Sequence, residues 1–399
     1  MTIDTAVILA AGEGTRLRPL TTHRPKPMLP AGNIPILEHV LNSLVEAGIS
    51  EIHLVVGYQR VRVQNHFGST YRNRPITYHI QHTQLGSGHA LLQADETIET
   101  DFLVLNGDQI VTEEMIETVS SSHTATDTAT LGVVESEKAS QYGAVELNDN
   151  RITEFIEQPT DDEYRLLNAG VYVFGPSIFA ALERTFQEQG RLSLPETIRD
   201  LTTDESTVRG VVTESPWQDA TYPWDLLSVM QTLFDQDRIG DETTEQSPGV
   251  FSDQTATIHE DATLRPPVIV SADTVVGPQA VLGPGVAVGE NTTIGAGAVL
   301  TNVLVDSDTR VGQNATLIDT VLGQGVHLGP GVIIAGGPAD IRIDTKVHED
   351  CDLGGVIADR ATVGGGVTVA SGSLVGSAAT IQSNAHIDGN IPNEAEVLR

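Results

Sequence analysis

The chain has 399 residues, of which 39% are hydrophobic and only 4% aromatic, so it should fold into two or three domains with cores of Val, Ile, Leu and Ala. Its formal net charge of -32 is spread along the chain and would repel a phosphate backbone, which excludes general nucleic-acid binding. One cysteine, Cys351, excludes an intrachain disulfide and a zinc–cysteine cluster; without a long apolar stretch or a basic-then-apolar leader, the chain is expected to be soluble and cytoplasmic, with no membrane partner.

Lysine is rare. Lys26, Lys138 and Lys346 are the only three among 22 basic residues. Such a composition resembles proteins of salt-rich cytoplasm, where a large net charge keeps chains soluble. It also makes Lys26 conspicuous, because it falls in the first chemically suggestive stretch.

From about residue 4 to 235 the pattern alternates strand and helix. Thr5–Ala10 reads as a buried strand, and Leu9 to Leu20 (LAAGEGTRLRPL) follows as a glycine- and arginine-rich loop. Glycines let backbone N–H groups approach a phosphate, and arginine holds phosphate with a forked pair of donors. The loop is not a Rossmann G-x-G-x-x-G, because Thr15-Arg16-Leu17 follows the second glycine, and no Gly-Lys-Ser/Thr makes it a Walker A loop. Pro25-Lys26-Pro27 comes next. Residues 34–47 carry apolar side chains at helical spacing, and Glu51–Val56 and Asp101–Leu105 read as further strands. Strands alternating with helices predict a mostly parallel α/β sheet of Rossmann-like type, in which ligands bind at the carboxyl ends of strands. His89 reads as a packing or capping residue.

The stretch 237–253 reads as a linker. Beyond it, aliphatic residues recur every six: Ile258, Leu264, Val270, Val276, Leu282, Val288, Ile294 and Leu300. The register slips by one before Val305, Val311 and Leu317, slips again before Leu322, Leu328 and Ile334, and resumes at Ile357 through Ile387 after an interruption at 335–356. Neither a helix nor a simple strand has period six, whereas a triangular coil with one inward aliphatic per face does. Residues 254–399 therefore predict a β-helix of six to seven coils. They resemble left-handed hexapeptide-repeat β-helices, a resemblance that implies a homotrimer or other homo-oligomer. His259, His348 and His386 read as turn or surface residues.

The string A-A-G-E-G-T-R-L-R-P-L-T with P-K-P-M-L-P resembles the sugar-1-phosphate nucleotidyltransferases over roughly residues 4 to 235. Gln84-Leu-Gly-Ser-Gly-His-Ala90, Asn106-Gly-Asp108, Tyr142-Gly143, Glu157, Asn168-Ala-Gly170 and Trp217-Gln-Asp219 follow in that family's order. With the β-helix, the chain resembles the two-domain uridylyl/thymidylyltransferases, including bifunctional enzymes that make UDP-N-acetylglucosamine.

The resemblance implies domains at 1–236 and 254–399, a nucleoside triphosphate (UTP or dTTP) and a sugar 1-phosphate as substrates, and Mg²⁺. It implies that Arg16 stabilises the triphosphate and the leaving pyrophosphate, and that Lys26 bridges the reacting phosphates. Leu9, Ala10, Ala11, Gly12, Gly14, Thr15, Gln81, Gly86 and Ser87 would bind the nucleotide. Gly143, Glu157 and Asn168 would bind the sugar, and Asp108 and Asp219 the metal. Arg18 is a further candidate phosphate contact. Two departures stand out. Gln158 replaces the lysine of the common Glu-Lys-Pro, and residues 250–399 contain no tyrosine, hence no His-x-x-Tyr acetyltransferase element.

Overall fold

The computed structural model describes residues 3–398 except 137–141, 158, 160–163, 190–191, 204–206, 239 and 241–242. Two compact units result. The first comprises residues 1–13, 25–27 and 36–218; the second comprises 14–24, 28–35 and 219–399.

The first unit is a ten-stranded sheet with helices. Its strands are β1 (Thr5–Ala10), β2 (Glu51–Val56), β3 (Thr70–Tyr71), β4 (Arg74–Ile80), β5 (Phe102–Asn106), β6 (Ala129–Glu135), β7 (Gly143–Asn148), β8 (Arg151–Glu157), β9 (Leu166–Phe174) and β10 (Val208–Val212). Their order is β7-β8-β10-β6-β9-β5-β1-β2-β4-β3. The strands β5, β1, β2 and β4 run parallel. Of these, β1, β2 and β5 are near-continuous aliphatic runs, as strands buried on both faces must be, whereas β4, nearer the edge, is mixed and partly exposed. Toward the other edge β7, β8 and β9 pair antiparallel. Asp149 and Asn150 connect β7 to β8 with φ of 48° and 63°, the left-handed pair a tight hairpin demands.

The helix Ile36–Glu46 buries Ile36, Leu37, Val40, Leu41 and Leu44 on one face and ends before Gly48, at φ +84°. Phe102, Phe174, Phe179 and Leu182 are each at most 4% exposed in the core on one side of the sheet.

In the second unit, short parallel strands stack in ladders. Partners lie 18 residues apart at Val268–Val286 and Thr257–Val275, and 17 apart at Thr293–Arg310 and Val299–Thr316. The shortened coils account for the two register slips. The hexad aliphatics from Val270 to Ile387 form one buried cluster; Ile258 and Leu264, in the first coil, pack against it partly buried. The interruption is an antiparallel hairpin, Pro338–Ile343 with Lys346–Asp352, after which Gly355–Ile357 rejoins the ladder beside Thr320–Leu322. Within the stretch read as linker, Thr244–Ser247 and Val250–Ser252 are strands, and the latter stacks under Val268–Val270 as part of the first coil.

Candidate functional site

In the first unit the carboxyl ends of β1, β2 and β5 are in register: Ala10 lies opposite Val56, and Leu9 opposite Asn106. Strand β1 passes directly into Ala11 and Gly12. The Ala11 carbonyl accepts from the Tyr58 amide at 3.2 Å and from Gln84 Nε2 at 3.0 Å. Two neighbours must be glycine for the chain to turn here. A Cβ on Gly57 would stand 2.9 Å from the Ala11 oxygen, and one on Gly107 3.0 Å from the Ala10 Cβ. Around Gly12 the space is open, with no atom within 4 Å of where a Cβ would lie.

Gln81, 5% exposed, donates to the Gly86 carbonyl at 3.1 Å and lies 3.0 Å from His89 Nδ1. Burial lowers the His89 pKa, which favours a neutral ring able to accept from the Gln81 amide. Gly86 has φ +115°, and a Cβ there would meet the Leu192 carbonyl at 2.3 Å. The Ser87 hydroxyl accepts from the Leu194 amide at 3.0 Å. Backbone bonds from the Gly88 amide to the Leu192 carbonyl and from the Leu192 amide to the Leu85 carbonyl, both 2.9 Å, tie the loop to the same segment.

Lys26 is 9% exposed, and its Nζ lies 2.7 Å from Asp108 Oδ2. The structure therefore joins two residues far apart in sequence, both of them expected at the site. Asp108 sits in a turn fixed from behind. Gln109, 2% exposed, donates to the Gly170 carbonyl at 3.2 Å. Gly170 has φ +69°, and a Cβ would stand 2.5 Å from Asn106 Nδ2. The Asn-Gly-Asp and Asn-Ala-Gly motifs are consequently one packed arrangement; Gln109 is a residue the sequence reading missed, and Gln84 was recognised only as the first residue of its loop motif, with no role given. Gln109 directly follows the recognised Asn106-Gly-Asp108.

The three expected sugar residues come together through strand register. Gly143 pairs with Glu157 across β7 and β8. Leu167 pairs with Ala144, so Asn168 lies beside Gly143 on the other neighbouring strand. A Cβ on Gly143 would approach Glu157 Oε2 to 3.1 Å, so glycine leaves room for that carboxylate. Asn168 Nδ2 donates to the Tyr172 hydroxyl at 2.7 Å, while its Oδ1 accepts from the Gly170 amide. Trp217 Nε1 donates to the Ala169 carbonyl and its ring meets Tyr142 edge-on. Gln158, the departure from Glu-Lys-Pro, lies outside the described residues.

In the second unit, Gly14 at φ +65° opens a single 3-10 turn, Thr15–Leu17. Thr21 Oγ1 closes it with a 2.7 Å bond to the Gly14 carbonyl. Leu17 and Leu20, each 1% exposed, anchor the loop, whereas Thr15, Arg16 and Arg18 are exposed. Asp219 accepts from the Thr221 hydroxyl. Asp225 accepts from the amides of Thr221 and Tyr222, at 3.0 and 2.7 Å. The Tyr222 and Trp224 rings stack at 4.8 Å. His348, expected to be a turn or surface residue, is half-buried against both rings. It comes from the hairpin inserted in the β-helix. Burial lowers its pKa, and the cations Lys346 and Arg16 add to that.

Among the described residues no three His, Cys, Asp or Glu side chains cluster as a metal cage. Asp108 and Asp219 remain as single carboxylate donors. No helix among them is long and apolar enough to cross a membrane.

Comparison with known proteins identifies the family. The family model described as Nucleotidyl transferase matches residues 5–236, and one described as the GMPPB C-terminal domain matches 264–391. A protein of Haloferax volcanii named UTP–glucose-1-phosphate uridylyltransferase AglF is 35% identical over 244 residues, covering 60% of this chain and 98% of its own. Bifunctional protein GlmU of Methanococcus vannielii is 36% identical over 231 residues, or 56% of this chain; the match spans about half of that relative, 53%. A solved UDP-glucose pyrophosphorylase with bound UDP-glucose superposes with a TM-score of 0.53 at 20% identity, over 59% of this chain and all of that one, a likeness of fold.

Proposed function

We propose, since the chain belongs to the nucleotidyl transferase family, that it transfers a nucleotidyl group from UTP or dTTP to a sugar 1-phosphate, giving an NDP-sugar and pyrophosphate. The observation that carries this reading is the Lys26–Asp108 pair, 2.7 Å apart and mostly buried, in a turn beside the glycine-rich end of β1. Two anions must be brought together in such a reaction, and fixed positive charge is what lowers its barrier.

In this reading Lys26 bridges the sugar phosphate and the α-phosphate of the triphosphate. Arg16 neutralises the triphosphate and the departing pyrophosphate. Backbone groups of Leu9 to Gly12, Gly14, Thr15 and Gly86, with Gln81 and Ser87, hold the nucleotide. Gly143, Glu157 and Asn168 take the sugar hydroxyls. The Gln81 amide, already held by Gly86 and His89, is oriented in advance for a pyrimidine edge.

Family membership implies a divalent metal, and Mg²⁺ is our choice. The donor chemistry of each residue fits, since a carboxylate suits a hard cation that takes one or two carboxylates and completes its shell with phosphate oxygens and water. Asp108 and Asp219 would hold it, and it would supply neutralisation of phosphate charge. The Lys26 ammonium lies on Asp108 Oδ2 at 2.7 Å, beside the position proposed for that cation.

The name of the Haloferax relative favours UTP with glucose 1-phosphate, and the GlmU relatives keep N-acetylglucosamine 1-phosphate as the second candidate. Acetyl transfer in the β-helix is not part of the reading, because residues 250–399 hold no tyrosine and the hairpin carries one lysine. We assign the catalytic domain to 1–236 and the β-helix to 254–399, which would assemble a homotrimer or another homo-oligomer. The acidic surface suits a soluble enzyme of a salt-rich cytoplasm.

The test is pyrophosphate release in Mg²⁺ and high KCl, with each nucleoside triphosphate paired with several sugar 1-phosphates, beside Lys26→Ala and Asp108→Ala. We expect release with one pair and a loss of about 10³-fold or more in both variants. No release from a folded, nucleotide-binding chain would overturn the reading in favour of a regulatory subunit.

A further inference from the structure

Within the second unit, the arginine-bearing loop and the β-helix are fastened by one buried cation. Arg24 is 4% exposed. Its guanidinium forms an ion pair with Asp306 and another with Asp359, the latter at 2.7 Å. The two carboxylates are themselves 8% and 3% exposed. They come from the same corner of the β-helix two coils apart: Val305 stacks on Leu322 and Leu322 on Ile357, and the acids follow just after the first and third of these. Between them the middle coil has Gly323. A Cβ there would stand 2.5 Å from Asp359 Oδ1, so the absent side chain leaves that carboxylate its place beside Arg24. The acids are also held individually, since Asp306 Oδ1 accepts from the Ser307 amide at 2.7 Å and Asp359 Oδ1 from the Gln324 amide at 3.0 Å.

Burial alone would push the Arg24 guanidinium toward neutrality, but the two carboxylates outweigh it and its pKa is raised. Further contacts run along the same loop. Ser377 Oγ donates to the Pro19 carbonyl at 3.3 Å, and Asn393 Nδ2 to Thr22 Oγ1 at 3.4 Å. Every one of these partners lies in the β-helix, and the loop they hold, Gly14–Arg24, carries Arg16.

We propose that Arg24 is a positioning residue, through which the β-helix holds the Gly14–Arg24 loop, and with it Arg16, in the arrangement the reaction uses. The tail is then part of the catalytic apparatus as well as a scaffold. Breaking a buried pair leaves uncompensated charge, so the two acids and the arginine act as one unit. The inference rests on the transferase reading, so the unaltered chain must first be active in the pyrophosphate assay; if it is silent, that reading fails, not this one.

The experiment compares the full chain with Arg24→Met, Arg24→Lys and Asp359→Asn, measuring kcat, KM for the triphosphate, circular dichroism, and hydrogen exchange of peptides covering 14–24. For folded Arg24→Met we expect kcat to fall about 10²-fold, with KM changed by less than about threefold and faster exchange confined to the loop. Arg24→Lys should recover part of the loss, since it keeps the charge and loses the fork. A purely structural role would lower the melting temperature without changing kcat per folded molecule. A kcat for folded Arg24→Met within about twofold of the unaltered chain overturns the proposal. If Arg24→Met does not fold, Asp359→Asn, which keeps shape and removes one charge, is judged by the same threshold.

Discussion

The two units bury their apolar residues by different rules. In the β-helix inward aliphatics meet the equivalent residue one coil away, 17 or 18 positions along the chain for most, as Leu300 meets Leu282 and Leu317, and 35 where the hairpin intervenes, as Leu322 meets Ile357. In the α/β unit a core residue meets partners from anywhere. Phe102 packs against Phe174 at 6.4 Å and stacks on Phe179 at 5.5 Å, across more than 70 residues of chain. Nearest-neighbour stacking makes stability a sum of local steps, whereas a sheet core is shared.

The largest expected effect follows from that contrast. Phe102→Ala and Leu300→Ala each remove a fully buried side chain and should destabilise by about 3–5 and 2–5 kcal/mol. The spread of the damage should differ. Hydrogen exchange should rise throughout the first unit for Phe102→Ala, but only in the coils around 282–317 for Leu300→Ala. Equal spread in the two variants would show that the β-helix unfolds as a block.

The same contrast explains what was legible in the sequence. A period-six pattern with one inward residue per face specifies its own contacts, so the hexads, both slips and the place of the interruption could be read directly, whereas the hairpin that fills the interruption could not. Strands β1, β2 and β5 were legible as aliphatic runs; the β7–β8 hairpin, turned by Asp149 and Asn150 at positive φ, was not read from the sequence. The assignment of residues 14–24 to the β-helix unit was not legible. It depends on Arg24 meeting an acid 335 positions away, and nothing local in either segment announces the other. His348 was misjudged for the same reason, because its aromatic partners lie at 222 and 224. Lys26 and Asp108 were chosen through family resemblance, and the sequence alone gives no sign that they touch.

Glycines sharpen the comparison at intermediate magnitude. In the β-helix they let coils stack closely: a Cβ on Gly312 would stand 2.4 Å from the Gly329 backbone. In the α/β unit they are of two kinds. Gly170→Ala forces a Cβ onto Asn106 at a positive φ, so melting temperature and kcat/KM should fall together, the latter by about 10²-fold. Gly12→Ala meets nothing within 4 Å, so stability should hold to within about 0.5 kcal/mol. Its activity should still fall, because the methyl group would stand where a phosphate must approach the backbone. Unchanged activity in Gly12→Ala would remove that residue from the nucleotide loop.

The smallest effect is a pH dependence confined to the first unit. His53 on β2 and His79 on β4 stack, with His53 Nδ1 2.9 Å from His79 Nε2. Burial lowers the His53 pKa, partly opposed by Glu51, and burial together with His53 lowers that of His79. Both rings therefore resist protonation when folded, while the unfolded chain takes up protons near the ordinary histidine pKa of about 6.5. Below that pH the unfolded state binds more protons, so this pair withdraws stability as pH falls and has no effect well above it. The β-helix has no such pair among the described residues. His79→Gln can keep a hydrogen bond to His53 while removing one titrating ring. The melting temperature of the first unit should then fall less steeply from pH 7 to pH 5 than in the unaltered chain. An unchanged slope would show that other groups carry the acid sensitivity, with His123, also lowered by burial on the same sheet unit, the next to replace.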